Sequence, residues 1–245
     1  MKRIMLIVSY NGANYCGWQK QNNAISIEEV INTKLKELLK EDICVIGASR
    51  TDAGVHAKGN VAVFDTETTI PPEKIAYALN ARLPQDIRIQ ESREVRADFH
   101  PRYDKNNKKY SYRILNTKIN VPIYNEYTMH ASNYLDIELM KNAAQYIVGE
   151  HDFKSFCAAN TGVKTTVREV YSLEITKNNN DIITIEITGN GFLYNMVRII
   201  VGTLIQVGTG KIKPEYVAEI IAAKDRSKAG PTAKAKGLTL EEIYY

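Results

Sequence analysis

The chain has 245 residues, which is enough for one large α/β domain or two modest ones with real cores. Hydrophobic residues make up 44% of it and charged residues 24%, which places it among globular proteins and excludes a disordered or fibrous chain. The formal net charge is +4; residues 1–104 hold 14 basic and 14 acidic side chains, and residues 105–245 hold 18 and 14. This mild excess is weak evidence for a polyanionic partner, because an ordinary solvated surface explains it equally well.

Patterning in the first half predicts a helix and several strands. Ser26-x-x-Glu29 is a capping box, and apolar residues at helical spacing follow it. The paired prolines at 71–72 suit the first turn of a second helix, which should run through Leu83. The expected strands are residues 4–10, 43–48, 59–64 and 87–95.

The second half repeats this kind of pattern without a strict repeat. We expect strands over residues 108–115, 124–130, 167–176 and 182–188 and at the C-terminus, and helices over 136–148, within 191–207 and over 213–223. Between the halves, ADFHPRYDKNN (97–107) is polar and contains proline, so it is the best domain boundary. The predicted fold is α+β, with halves 1–104 and 105–245 and a cleft where they meet.

The cysteines and the N-terminus indicate a cytoplasmic protein. Cys16, Cys44 and Cys157 are odd in number, widely spaced and without a CxxC motif, which argues against a disulfide framework and a zinc site. The segment MKRIMLIVSYNG lacks the long apolar region of a signal peptide, and no apolar run approaches the ~20 residues of a membrane span.

The stretch GASRTDAGVHAKGNVAVFDT (47–66) combines reactive side chains with turn chemistry. Asp52 lies before Ala53-Gly54 on a strand-exit loop, where a carboxylate can act as nucleophile, general base, metal ligand or turn cap. Metal binding looks poor, because no second acid is near and the four histidines show no ligand spacing. From the residues alone, a structural turn and a catalytic carboxylate both remain open.

Two features of the second half bear on that choice. Tyr110 and Tyr112 alternate on a strand among basic residues, which suits base stacking and phosphate contact, although tyrosines also simply suit strands. Arg198 lies in the most apolar segment, so it needs an anionic partner or must reach solvent. Asp52 is the conspicuous candidate partner.

Trp18 is expected to anchor the core or its rim.

Motifs along nearly the full chain are similar to the TruA family of tRNA pseudouridine synthases. They are GWQKQ, SRTDAGVHAKGNVAVF, LNARLPQDI, FHPRY, KKYSYRI, HDFKSF, GFLYNMVRIIVGTLIQVG and AGPTAKAKGLTL, in the family's order. RTDAGVHA is the most specific of them. Departures are Lys234 for a common Pro, Pro101 for a frequent Ala, and Ser26-Ile27-Glu28 for Thr-Val-Gln.

The resemblance implies a role for each matching residue. Asp52 matches the catalytic Asp, Tyr110 the tyrosine that stacks on the target base, and Arg198 the arginine that pairs with the carboxylate. Arg50 matches an arginine that holds the flipped nucleotide, and we also assign His56 of the same motif to substrate binding.

The resemblance also implies a reaction, a substrate and an assembly. Family members convert uridines at positions 38, 39 and 40 of the tRNA anticodon arm to pseudouridine, use no cofactor or metal, and form homodimers. Their two related halves share one continuous antiparallel sheet flanked by helices, with a basic RNA-binding cleft between the halves. The rival functions are a non-catalytic tRNA-binding module and a hydrolase such as a nucleosidase.

Overall fold

The computed structural model describes residues 1–22, 24–158 and 163–245 of a mixed α/β fold whose strands pair mainly antiparallel. The strands are β1 (Lys2–Tyr10), β2 (Ile46–Gly47), β3 (His56–Thr66), β4 (Ile87–Val95), β5 (Asn107–Leu115), β6 (Met129–His130), β7 (Gly149–Asp152), β8 (Val167–Lys177), β9 (Ile182–Gly189) and β10 (Leu238–Tyr244). The helices are α1 (Ile27–Leu39), α2 (Pro72–Asn80), α3 (Ile137–Ala144), α4 (Met196–Gly208) and α5 (Tyr216–Ala223).

The chain forms two compact units. The first comprises residues 1–106 with 239–245, and the second comprises residues 107–238. The last strand therefore groups with the first unit, whereas the sequence had suggested a second half that runs to residue 245. Within the first unit, Thr239 and Leu240 of β10 lie parallel to His56 and Ala57 of β3.

The core of the first unit lies between its strands and two helices. β1 is central, paired antiparallel with β3 on one side and β4 on the other, and Ile4, Leu6 and Val8 on it are fully buried. α1 buries Ile27, Ile31 and Leu35, which stand four residues apart on one helical face. Burying this stripe is the main driving force for placing the helix, at about 1.5–3 kcal/mol per large side chain.

The second unit is built on an antiparallel β5–β9–β8–β7 array. On β9, Ile183, Ile185 and Ile187 are buried at every second position, as expected for a strand with one face toward a core. α4 is the apolar segment that the sequence predicted as a buried helix, and it starts only at Met196 because Asn195 has the left-handed φ of 60°. At Gly202 the 230–231 loop approaches the helix so closely that a Cβ would lie 1.7 Å from the Pro231 oxygen.

Most predicted elements are confirmed, and the errors lie mainly in where the elements begin and end. Residues 87–95 form β4 as predicted, but 43–48 and 124–130 reduce to the two-residue strands β2 and β6. α2 stops at Asn80 instead of Leu83; residues 81–83 form a turn, and Pro84 disfavours helical backbone at Leu83. α3 stops at Ala144 because i+3 hydrogen bonds from Tyr146 and Ile147 tighten its last turn.

None of the helices in the described ranges combines the length and the apolar composition of a membrane span. Cys16, Cys44 and Cys157 are all free thiols.

The cap of α1 offers a stability test. Ser26 is buried, and its Oγ accepts a hydrogen bond from the Glu29 amide at 3.2 Å, which confirms that half of the predicted capping box. Ser26→Ala should lower the free energy of unfolding by about 1 kcal/mol, because the amide loses its partner. Urea denaturation measures this loss.

Thr33→Ala, which removes an exposed hydroxyl from the same helix, is the matched control and should cost nothing, because alanine favours helix. Equal denaturation midpoints for the two variants would contradict a capping role for Ser26.

Candidate active site

Asp52 lies on a tight turn between β2 and β3. The Val55 amide donates to the Asp52 carbonyl at 3.1 Å and closes the turn. Gly54 has a φ of 76°, as the third position of a type II turn requires. The Asp52 side chain is half-buried. The turn therefore presents a carboxylate from a backbone that has a defined conformation.

The turn is fastened to the segment that follows β1. The Trp18 amide donates to the Thr51 carbonyl at 3.0 Å, and the Gly54 amide donates to the Tyr15 carbonyl at 3.3 Å. The Tyr10 hydroxyl and the Thr51 hydroxyl are 2.7 Å apart and both are buried. Because these bonds lie on both sides of Asp52, the carboxylate has little freedom to move with its backbone.

Asn60, a fully buried side chain on β3, holds the entry to the loop. Its Oδ1 accepts from the Ser49 amide at 3.2 Å, and its Nδ2 donates to the Ser49 carbonyl at 3.0 Å. The same Nδ2 lies 3.4 Å from the Tyr10 hydroxyl. The Asn60 side chain thus pairs with both backbone groups of Ser49, as a neighbouring strand would. Ser49 directly precedes Arg50 and lies three residues before Asp52.

Arg50 and His56 have opposite environments. Arg50 is exposed, whereas His56 is only 3% exposed. The Gly12 amide donates to His56 Nδ1 at 3.1 Å, so the neutral ring carries its proton on Nε2. This placement fits a side chain that supports the turn from inside the unit, and substrate binding by His56 stays a prediction.

Trp18 is a core residue, as expected. It is fully buried and lies near Tyr10, with ring centroids 6.0 Å apart. Its Nε1 has no hydrogen-bond partner among the described residues.

In the second unit, Tyr110 lies on β5 opposite Ile187 of β9. Its ring is 8% exposed and meets Phe192 edge to face, with centroids 5.3 Å apart and planes at 87°. The contact fixes the plane of the Tyr110 ring.

Arg198 lies in the first turn of α4 and is half-buried. Its Nε donates to the Ala233 carbonyl at 2.7 Å and its Nη1 donates to Asn195 Oδ1 at 2.7 Å. The Ala233 amide in turn donates to the Arg198 carbonyl at 3.1 Å. The guanidinium is therefore oriented by its own helix start and by the segment before β10.

Tyr112 lies on β5, two residues after Tyr110. It is fully buried, shares a strand face with Tyr110, and donates its hydroxyl proton to the Lys234 carbonyl at 2.7 Å. Burial raises the pKa of Tyr112 far above the ordinary tyrosine value, and the positive charge of Arg198 opposes this rise. Tyr112 is thus a structural donor beside Arg198.

The candidate residues fall into two sets, one in each unit. Arg50 and Asp52 lie on the loop before β3 and His56 is the first residue of β3, all in the first unit, whereas Tyr110 and Arg198 lie in the second. Sequence reasoning missed Asn60, whose signal was a polar residue in the apolar run of β3. It also missed Asn195, because only the helix boundary shows that this residue reaches Arg198.

A metal centre finds no support in the geometry. Within residues 1–22, 24–158 and 163–245, no three His, Cys, Asp or Glu side chains cluster in a way that could hold an ion.

Comparison with known proteins identifies the class of enzyme. The model of the tRNA pseudouridine synthase family matches residues 6–104 and 143–245. The chain therefore belongs to the tRNA pseudouridine synthase family and is an isomerase. The match includes the Asp52 loop and α4.

Relatives that match over their whole length carry a more particular name. The proteins named tRNA pseudouridine synthase A of Thermoanaerobacter sp. (strain X514), Ruminiclostridium cellulolyticum and Acetivibrio thermocellus are 51%, 49% and 47% identical to it, each over 100% of both chains. A solved structure titled "Crystal Structure of a Cbf5-Nop10-Gar1 Complex" aligns with a TM-score of 0.34 and 14% identity, over 99% of this chain and 57% of that one.

Removing the Asn60 side chain tests how the loop is held. Asn60→Ala should destabilise the protein by about 1–3 kcal/mol, because buried amide and carbonyl groups of Ser49 lose their partner. The free energy of unfolding from urea titration reports this.

Asn22→Ala, at an exposed asparagine of the same unit, serves as the control and should change stability by less than about 0.5 kcal/mol. An Asn60→Ala protein as stable as this control would show that the Ser49 backbone does not depend on Asn60.

Proposed function

We propose that the protein isomerises uridine to pseudouridine at positions 38, 39 and 40 in the anticodon stem-loop of tRNA, with Asp52 as the catalytic carboxylate. Family membership supports uridine isomerisation in tRNA. The observation that carries the residue assignment is the Asp52 turn, which presents one half-buried carboxylate from a fixed backbone.

The reaction requires a carboxylate at the glycosidic bond. Uracil leaves C1′ of the ribose, turns, and rejoins C1′ through C5. Breaking the bond develops positive charge at C1′, which a nearby anion stabilises or captures. Asp52 can add to C1′, add to the base, or remove the 2′ proton, and each of these routes needs it ionised.

Arg198 is proposed to keep Asp52 ionised. Opposite charge nearby favours the charged form of a carboxyl group. The Asn195 side chain and the Ala233 carbonyl already orient the guanidinium, so pairing would cost little further ordering. This assignment rests on the family resemblance and on the need of a half-buried arginine for an anion.

Tyr110 is proposed to hold the detached uracil. A target base must leave its stack before an enzyme can reach C1′, and it must stay bound while it turns. Stacking on a ring face retains a base without fixing its in-plane orientation. The contact with Phe192, which holds the Tyr110 ring, supports this proposed role. Its hydroxyl is also a candidate acceptor for the C5 proton.

The assembly is part of the proposal. The two related halves would share a continuous sheet and form a basic cleft that receives the anticodon arm, with Arg50 holding the flipped nucleotide. The enzyme would act as a cytoplasmic homodimer without a cofactor. The exposed position of Arg50 on the Asp52 loop supports the contact with RNA.

Asp52→Asn should abolish pseudouridine formation and leave tRNA binding nearly unchanged, because it removes the charge and keeps the side-chain volume. Tritium release from tRNA labelled at uridine C5 measures turnover, and filter binding measures affinity. Asp42→Asn, at a 94% exposed carboxylate of the same unit, is the control and should remain fully active.

Turnover of Asp52→Asn at the control rate would exclude a catalytic role for this carboxylate. If the wild-type protein binds tRNA and leaves every uridine unchanged, it is a binding module. Free uracil among the products would identify a nucleosidase.

Tyr110→Phe should lower turnover by tenfold or more while affinity for tRNA changes less than threefold, because the ring remains and the hydroxyl is lost. Tyr171→Phe, at a 41% exposed tyrosine on β8, is the control and should leave both values unchanged. Equal losses in turnover and affinity for Tyr110→Phe would remove the support for proton transfer by the hydroxyl.

A further inference from the structure

Segment 99–104 of the first unit, FHPRYD, is held in a defined position beside the Asp52 loop. Arg3 Nη1 donates to the Phe99 carbonyl at 3.1 Å, and the hydroxyl of Tyr245 donates to the Pro101 carbonyl at 2.7 Å. The rings of Phe99 and Tyr245 meet at 4.9 Å. The segment is therefore part of a rigid surface.

Arg102 connects this segment to the strand before the catalytic loop. Its Nε donates to the Gly47 carbonyl of β2 at 2.6 Å, three residues before Arg50. The Gly47 bond therefore places Arg102 against the chain segment that leads into Arg50. Burial lowers the pKa of the Arg102 guanidinium, and the positive charge of Arg50 lowers it further. An arginine guanidinium cannot be deprotonated in proteins at neutral pH.

The charge of this arginine pair is not neutralised within the described part of the chain. Neither Arg50 nor Arg102 has a carboxylate within 4.0 Å there. The charge of Glu28 acts on Arg102 from farther away, and the Glu28 carboxylate accepts hydrogen bonds from the Gln19 side chain and the Lys20 amide. Two like charges near each other on a partly buried surface are costly, and a bound anion removes that cost.

An exposed aromatic ring lies next to the pair. Tyr103 is 83% exposed, and its ring stacks on His100 with centroids 4.2 Å apart and planes at 23°. The Arg102 amide donates to His100 Nδ1 at 3.2 Å, which fixes the imidazole under the tyrosine. The outer face of Tyr103 is thus a supported platform for another planar group.

We propose that Arg50 and Arg102 together bind one phosphodiester of the substrate RNA, and that Tyr103 stacks on a base of an adjacent nucleotide. Cations beside an exposed ring form the pattern that binds an unpaired nucleic-acid strand, since phosphate and base are both satisfied. Arg102 uses Nε for Gly47 and presents its terminal nitrogens as a fork suited to phosphate. The inference rests on the proposed function, because the RNA is its substrate.

The test for Arg102 is the salt dependence of tRNA binding, measured by filter binding over a range of KCl concentrations. Arg102→Gln should reduce the slope of log Kd against log salt by about 0.7–0.9, the value for one lost phosphate contact, and weaken binding about tenfold at low salt. Arg102→Lys keeps the charge and loses the Nε bond to Gly47, so it should retain the wild-type slope.

Arg82→Gln is the control, since Arg82 is an exposed arginine of the same unit that donates to the Ala78 carbonyl four residues earlier. It should change neither slope nor affinity. If Arg102→Gln and Arg102→Lys both lose turnover while their slopes equal that of the wild type, Arg102 only positions the loop and the proposal is overturned. If the Gln variant melts early, its slope is measured below its melting temperature, because the Lys variant is expected to keep the wild-type slope in either case.

Tyr103 is tested by two substitutions. Tyr103→Ala should weaken tRNA binding about tenfold with an unchanged salt slope, whereas Tyr103→Phe should bind like the wild type, because stacking needs the ring and not the hydroxyl. Equal affinity of the Ala and Phe variants would overturn the stacking role.

Competition by inorganic phosphate at millimolar concentration that equals competition by unlabelled tRNA would identify a general anion site and overturn the RNA assignment. A wild-type protein that forms no pseudouridine refutes the proposed function. A wild type that is active, with unaffected slopes in the Arg102 variants, refutes only this inference.

Discussion

Asn60 and Tyr10, two buried polar side chains on adjacent strands, hold the chain around Asp52. Asn60 takes both backbone groups of Ser49, and Tyr10 lies at hydrogen-bond distance from Thr51. Each buried group that lost its partner would cost about 1–3 kcal/mol, so the loop cannot shift without breaking several favourable contacts. The position of the carboxylate is therefore set by β1 and β3 and does not depend on the loop alone.

In the second unit, the proposed site residues are held in a similar way. Arg198 is oriented by Asn195 and Ala233, and Tyr110 is held by Phe192. Side chains fixed before substrate binding lose little entropy when they act, and such preorganisation is a major source of catalysis. The close packing of the 230–231 loop on Gly202 is part of this arrangement, because it fixes the segment that bears Ala233.

The sequence predicts those parts of the fold that depend on local periodicity. β4, β9 and the buried helix α4 follow from alternation and apolar runs, and the Ser26 cap follows from its side-chain chemistry. The short strands β2 and β6 and the grouping of β10 with the first unit depend on contacts distant in sequence, which no local pattern encodes. For the same reason, Asp52 could be recognised by its motif, whereas the roles of Asn60 and Arg102 became visible only once their partners Ser49 and Gly47 were located.

Site-resolved mapping of pseudouridine in tRNA from a strain that lacks this gene tests the central claim most directly. The strain should lose pseudouridine at positions 38, 39 and 40 of the anticodon arm, and a plasmid copy of the wild-type chain should restore it at those positions alone. Pseudouridine that persists there in the deletion strain, or that fails to return with the wild-type copy, would contradict the assignment of this chain as the anticodon-arm synthase.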